Sequence, residues 1–106
     1  MNSEVTTYKM FGNISSCEEK TEKDWQDESR TYTSFTGYYY SKDGYYVTFY
    51  GHTPVNRWKK GYMHFCLYYQ GRMYYISVES HYQTKRGWIL AAAAFIRRIK
   101  KEHSLK

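Results

Sequence analysis

The sequence predicts an α+β fold: a four-stranded antiparallel sheet made of two hairpins, with a C-terminal α-helix packed on one face. Three observations carry that expectation. The stretches YYSKDGYY at 39–46 and YYQGRMYY at 68–75 each set a tyrosine pair on both sides of four turn-like residues. The runs TYTSFTGYYY, YYVTFYG, YMHFCLYY and MYYISVES are rich in aromatic and β-branched residues and contain no proline, as strands do. Further on, QTKRGWILAAAAFIRRIKKEH changes period, placing Trp88, Ala92, Phe95 and Ile99 at i, i+4, i+7 and i+11 on one helical stripe.

Residues 1–29 form an acidic N-terminal segment and residues 30–106 a basic sheet-plus-helix domain. In SSCEEKTEKDWQDESR, Ser15 or Ser16 suits a helix N-cap, with Glu18 or Glu19 near the third helical position. Trp25 is the only large apolar residue available to dock such a helix, so the segment is expected to be partly helical or disordered. Asp43-Gly44 and Gln70-Gly71 mark the two hairpin turns. Between the hairpins, GHTPVNRWKKG holds the single proline with glycine at both ends and reads as a loop.

Even-numbered turns place residues of opposite parity face to face. Met63, Phe65 and Leu67 then share the core face with Tyr74, Ile76 and Val78. Tyr62, His64, Cys66 and Tyr68 share the outer face with Tyr75, Ser77 and Glu79. The same parity puts Val47 and Phe49 inward, with Tyr39, Tyr46, Thr48 and Tyr50 outward. Thr84 is the expected N-cap of the covering helix.

Charge is distributed unevenly. Residues 1–29 carry seven acids against three lysines, a net −4, and residues 30–106 carry thirteen basic residues against three acids, a net +10. That asymmetry favours an anionic partner, either nucleic acid or a nucleic-acid-processing protein complex. Cys17 and Cys66 fit neither a metal spacing nor a disulfide framework. The longest apolar run, WILAAAAFI, is nine residues, well short of the roughly twenty that span a bilayer. No apolar leader is visible in MNSEVTTYKM. The expectation is a cytoplasmic protein with no membrane contact and no cofactor.

Cations interleaved with exposed aromatics suit phosphate contact together with base stacking. Arg57, Trp58, Lys59 and Lys60 in the loop and Lys85, Arg86, Arg97 and Lys101 on the helix supply the cations and one aromatic. Tyr46, Tyr50, Tyr68 and Tyr75 supply the exposed rings. Cross-strand pairing accounts for some of these tyrosines, but a whole face of them marks a contact surface. His64, Glu79 and His81 form the best acid–base grouping, and it is thin: no catalytic site is expected.

The order of strands followed by HYQTKRGWILAAAAFIRRI resembles AP2-like and integrase-arm DNA-binding domains, which lay strands in a groove and back them with a helix. Tyr82, Thr84, Lys85, Phe95 and Ile99 carry that likeness, and Lys85, Arg86, Ala91 and Ala92 look similar to the last helix of double-stranded-RNA-binding domains. The charge pattern and the tyrosine face together lead to the expectation of a non-enzymatic nucleic-acid-binding module that docks its tyrosine face and basic loop on a phosphate backbone, with the acidic segment folding over that surface as a competitor. The alternative is a small phage-type inhibitor or adaptor, similar in size and composition to anti-CRISPR proteins, that binds a host protein complex through the same surface. A homodimer through the tyrosine face is a third use of it.

Overall fold

A computed structural model describes residues 3–10, 12–23, 31–53, 61–80 and 84–103. Its strands are β1 (Ser3–Met10), β2 (Asn13–Lys23), β3 (Thr31–Tyr40), β4 (Tyr46–Thr53), β5 (Gly61–Tyr69) and β6 (Arg72–Ser80), followed by helix α1 (Lys85–Glu102). The strands form a single antiparallel meander in the order β1-β2-β3-β4-β5-β6. The sheet therefore has six strands and not four.

The two additional strands come from the acidic segment, which is neither helical nor disordered over its described residues. β2 pairs with β3 from Ile14↔Tyr40 to Lys23↔Thr31, so the segment extends the sheet in its own plane and does not fold over a face. Val5, Thr6, Thr7 and Tyr8 favour extended backbone, and Gly12, at φ +82°, closes the turn into β2. The side chains that take cover here are mostly small: Cys17 is fully buried and Ser15 nearly so, while Tyr8 packs partly buried against the core. Ser15 and Cys17 alternate inward along β2 without forming a hydrophobic pattern, and SSCEE combines extended backbone with residues that would also suit a helix cap. Trp25 lies outside the described residues.

The first hairpin differs from the expected even-numbered turn. Tyr40 pairs with Tyr46 across a five-residue loop, which leaves facing residues with the same parity. Within that loop the Ser41 hydroxyl donates to Asp43 and accepts from the Tyr45 amide at 3.0 Å, and Gly44 takes φ +94°. The consequence is a correction to Tyr39, which faces the helix with its partner Val47, while Tyr38 and Tyr40 face outward. Tyr45 is fully buried and stacks on Tyr69 with ring centroids 3.9 Å apart. Burial pushes its phenol up to about 12, with Tyr69 beside it adding to the shift.

The second hairpin is the expected two-residue turn. Gln70 and Gly71 both have positive φ, 48° and 77°, the signature of a type I′ turn, and Tyr69 pairs with Arg72. Met63, Phe65 and Leu67 therefore point inward with Tyr74, Ile76 and Val78, as parity requires.

The helix begins at its expected cap, where Thr84 Oγ1 accepts from the Gly87 amide at 2.9 Å. Trp88, Ile89, Ala92, Phe95, Ile96 and Ile99 are its buried residues. Trp88 packs between Phe35 and Phe65 at centroid distances of 6.5 and 6.0 Å, and Phe95 meets Phe65 edge-on at 6.3 Å. Its ends are tied to distant strands. Lys85 Nζ donates to Thr6 Oγ1 of β1 at 2.8 Å, and Lys100 Nζ lies 2.5 Å from Asp43 in the β3–β4 loop and 4.7 Å above the Tyr45 ring.

Gly37 marks a point of close approach beneath this core. A Cβ there would collide with the Ser16 carbonyl oxygen and sit 2.5 Å from the Phe49 ring. Gly37→Ala is expected to destabilise the protein by about 1–3 kcal/mol in urea unfolding, the usual cost of overpacking. The loop contact has its own signature. Lys100 and Ser41 hold the Asp43 carboxyl below its ordinary value, so its stabilisation is present above the unfolded-state value and lost as pH falls through the lower folded-state one. Half-exposure limits the contribution to about 1 kcal/mol. Asp43→Asn should remove that part of the acid sensitivity below about pH 4, seen as a flatter dependence of Tm on pH.

Candidate binding surfaces

A single helix covers only one face of the sheet, and the opposite face is lined with tyrosine. Strand register places Tyr32, Tyr38, Tyr40, Tyr46, Tyr50, Tyr62, Tyr68 and Tyr75 on it. Tyr50 and Tyr75 are about 60% exposed, and Tyr40, Tyr62 and Tyr68 are 43–49% exposed. The rings are locked by their neighbours. Tyr46 touches Tyr38, Tyr40 and Tyr68 at centroid distances of 6.2, 6.0 and 6.2 Å, crossing three strands. Beside them, His64 lies between Tyr50 and Tyr75 at 5.2 and 6.0 Å.

The polar tips of this face bond to one another. His64 Nδ1 lies 2.5 Å from the Tyr75 hydroxyl and 2.9 Å from Ser77 Oγ, which are themselves 3.0 Å apart. Glu79 instead bonds the Tyr62 hydroxyl and raises its pKa. His64 and Glu79 thus bond separate groups, and His81 lies outside the described residues. The Tyr68 hydroxyl bonds Cys66, which raises the phenol. Cys17, by contrast, is buried under the helix, which pushes its thiol up to about 11, and both cysteines are free. The outer face is a preorganised surface of hydroxyl-tipped rings, a chemistry of contact and hydrogen bonding.

Its charge is close to neutral. The described charged residues that register places on this face are Lys9, Lys20, Glu18, Glu22 and Glu79. Lys20 pairs with Glu22 at 3.4 Å, and Glu22 also bonds Tyr32, which lowers its pKa. Among the described residues, unpaired cations gather on the helix side of the molecule. Arg86, Arg97 and Lys101 are exposed on α1 and have no carboxylate partner among the described residues. At about 100° per residue these three lie within an arc of roughly 60°, with Leu90 between them, nearly opposite the buried stripe. The remaining helix cations are engaged: Arg98 with Glu102 at 2.9 Å, Lys100 with Asp43, and Lys85 with Thr6.

The expected site residues therefore divide. Tyr46, Tyr50, Tyr68 and Tyr75 come together on the sheet face, while Lys85, Arg86, Arg97 and Lys101 belong to the helix side. Arg57, Trp58, Lys59 and Lys60 lie outside the described residues. A single phosphate backbone cannot lie flat on both groups at once. Tyr38 and Tyr40 belong to the tyrosine face and escaped the parity argument; the five-residue SKDGY loop was the signal for them. No family model, curated protein or solved structure matches the chain. Among the described residues, no helix is long and apolar enough to cross a membrane.

Glu79→Gln removes the charge beside Tyr62. The Tyr62 phenol should then titrate at lower pH, readable as a shift of its ring signals in an NMR titration. An unchanged titration would show that the two side chains do not interact in solution.

Proposed function

We propose that the protein is a small non-enzymatic binding module, an adaptor or inhibitor that docks on a protein partner through its tyrosine sheet face. The observation that carries this reading is the segregation of two surfaces among the described residues: packed, half-exposed tyrosines on a face whose described charges carry no net positive sum, and the unpaired helix cations Arg86, Arg97 and Lys101 on the opposite side. Tyrosine gives large rigid contact area at low entropic cost and is enriched at protein interfaces. Phosphate binding needs cations within reach of the rings, and among the described residues of this face the carboxylates of Glu18, Glu22 and Glu79 outnumber the ammonium groups of Lys9 and Lys20.

A second reading rests on Arg86, Arg97 and Lys101. Unpaired cations along one stripe of a helix suit nucleic-acid phosphates, contacted from the helix side. The two readings combine in a protein that binds a nucleic-acid-processing complex with its sheet and the complex's nucleic acid with its helix.

Affinity capture from lysate of the expressing cells separates them. A nuclease-resistant protein should be recovered, lost with Tyr46→Ala/Tyr68→Ala and retained with Arg97→Glu/Lys101→Glu. Capture through the tyrosines should also change little between about 50 and 200 mM salt, an interval over which backbone binding falls steeply. Recovery abolished by nuclease and by the helix variant, with the tyrosine variant unaffected, would contradict the protein-docking reading.

A further inference from the structure

Among the described residues, the last strand of the sheet is an open edge with little protection. β6 runs nine residues, RMYYISVES, with unbroken pairing to β5, no proline and no lysine; its only charged residues, Arg72 and Glu79, sit at or near its ends. Natural edges are usually blunted by lysine, proline, a bulge or a covering element. The opposite edge, β1, carries Glu4 and Lys9 within its run, and its Thr6 is held by Lys85.

The type I′ turn fixes which backbone groups of β6 are open. The residues flanking such a turn, Tyr69 and Arg72, form a hydrogen-bonded pair, and pairs alternate from there along an antiparallel ladder. Arg72, Tyr74, Ile76 and Val78 therefore bond back to β5. Met73, Tyr75 and Ser77 turn their N–H and C=O groups to the outer edge. Beside that edge, on the helix side, is a groove of ≈ 380 Å³ floored by Tyr74, Ile76, Phe95 and Ile99, with Arg98 and His103 at its rim. Ile76 and Val78 are only partly buried, although they pack against the core.

We propose that β6 pairs antiparallel with β6 of a second copy, joining two sheets into one continuous sheet with both helices on the same side. The strand is self-complementary about its midpoint. Centring a two-fold axis on Ile76 sets Tyr75 opposite Ser77 of the second copy, whose backbone groups both face the outer edge, and Met73 opposite Glu79. Ile76 then meets Ile76 of the second copy, and Tyr74 meets Val78, as non-hydrogen-bonded pairs, where side chains approach most closely. All of these latter residues face the helix side, so each copy contributes apolar side chains along the other's groove. No like charges fall opposite one another, and all nine residues of the strand are used. The surface is distinct from the tyrosine face, and the pairing stands or falls independently of what that face binds. It doubles the tyrosine surface and holds both copies of it in one plane.

Sedimentation of the purified full chain, with two kinds of variant, tests the pairing. The wild type should run at twice its 12.8 kDa mass. Ser77→Pro removes a single outward N–H without touching the β5 ladder, and it should run as a folded monomer with unchanged circular dichroism. In a Cys66→Ser background, Ile76→Cys should give a disulfide-linked dimer under mild oxidation, whereas Tyr50→Cys on the outer face should not. A wild type that stays monomeric up to about 100 µM would overturn the proposal. So would cross-linking through Tyr50→Cys and not Ile76→Cys, or a folded Ser77→Pro variant that remains dimeric.

Discussion

The constraint on which the structure depends is that, among the described residues, one 18-residue helix supplies the cover for a six-stranded sheet. A helix is about 10 Å wide with its side chains, while six strands at ~4.8 Å spacing are more than twice that. The sheet answers by placing its bulk centrally. Phe35, Phe49, Phe65, Met63 and Leu67 lie under the helix, with Trp88 wedged between Phe35 and Phe65. The flanks need less filling: β2 presents Ser15 and Cys17, and the Tyr45–Tyr69 stack closes one end beneath Lys100. Gly37 gives the Phe49 ring its space, so the sheet yields volume to the core as well as supplying it.

The uncovered face follows from the same constraint. Strand residues there must favour extended backbone, pair across strands and tolerate water, and tyrosine satisfies all three requirements. That explains why tyrosine pairs flank both turns, although the two turns use them differently. In the two-residue turn, Tyr68 faces outward and Tyr69 inward. In the five-residue turn, Tyr45 is drawn into the core and Tyr46 becomes the centre of the outer ring cluster. Packing alone accounts for isolated pairs. It does not account for eight rings gathered on one face, with the hydroxyls of Tyr32, Tyr62 and Tyr75 joined to glutamate, histidine and serine.

The parts legible in the sequence are those with strong local chemistry. Helix α1 was visible in Thr84 and the Trp88–Ile99 stripe, and β5–β6 in the Gln70-Gly71 turn and the parity of its neighbours. The acidic strands were not legible, because Thr6, Ser15 and Cys17 face the helix without any hydrophobic alternation. Their stability comes from pairing with β3 and from shelter under α1, which are tertiary facts. Loop length hid the register of β3: Asp43-Gly44 announces a turn but does not say that Ser41 and Tyr45 close it as five residues. The separation of cations from tyrosines was also invisible, since a sum of charges carries no information about faces.

That separation is the centre of the functional account, and a nucleic-acid titration followed by NMR tests it most directly. Duplex oligonucleotide would be added to labelled protein at low salt, with tyrosine ring and arginine side-chain signals observed together. The account predicts that Arg86 and Arg97 respond while the Tyr46, Tyr50, Tyr68 and Tyr75 rings hold their positions. Early, saturable shifts of those four rings would show that the sheet face takes nucleic acid, and would contradict it.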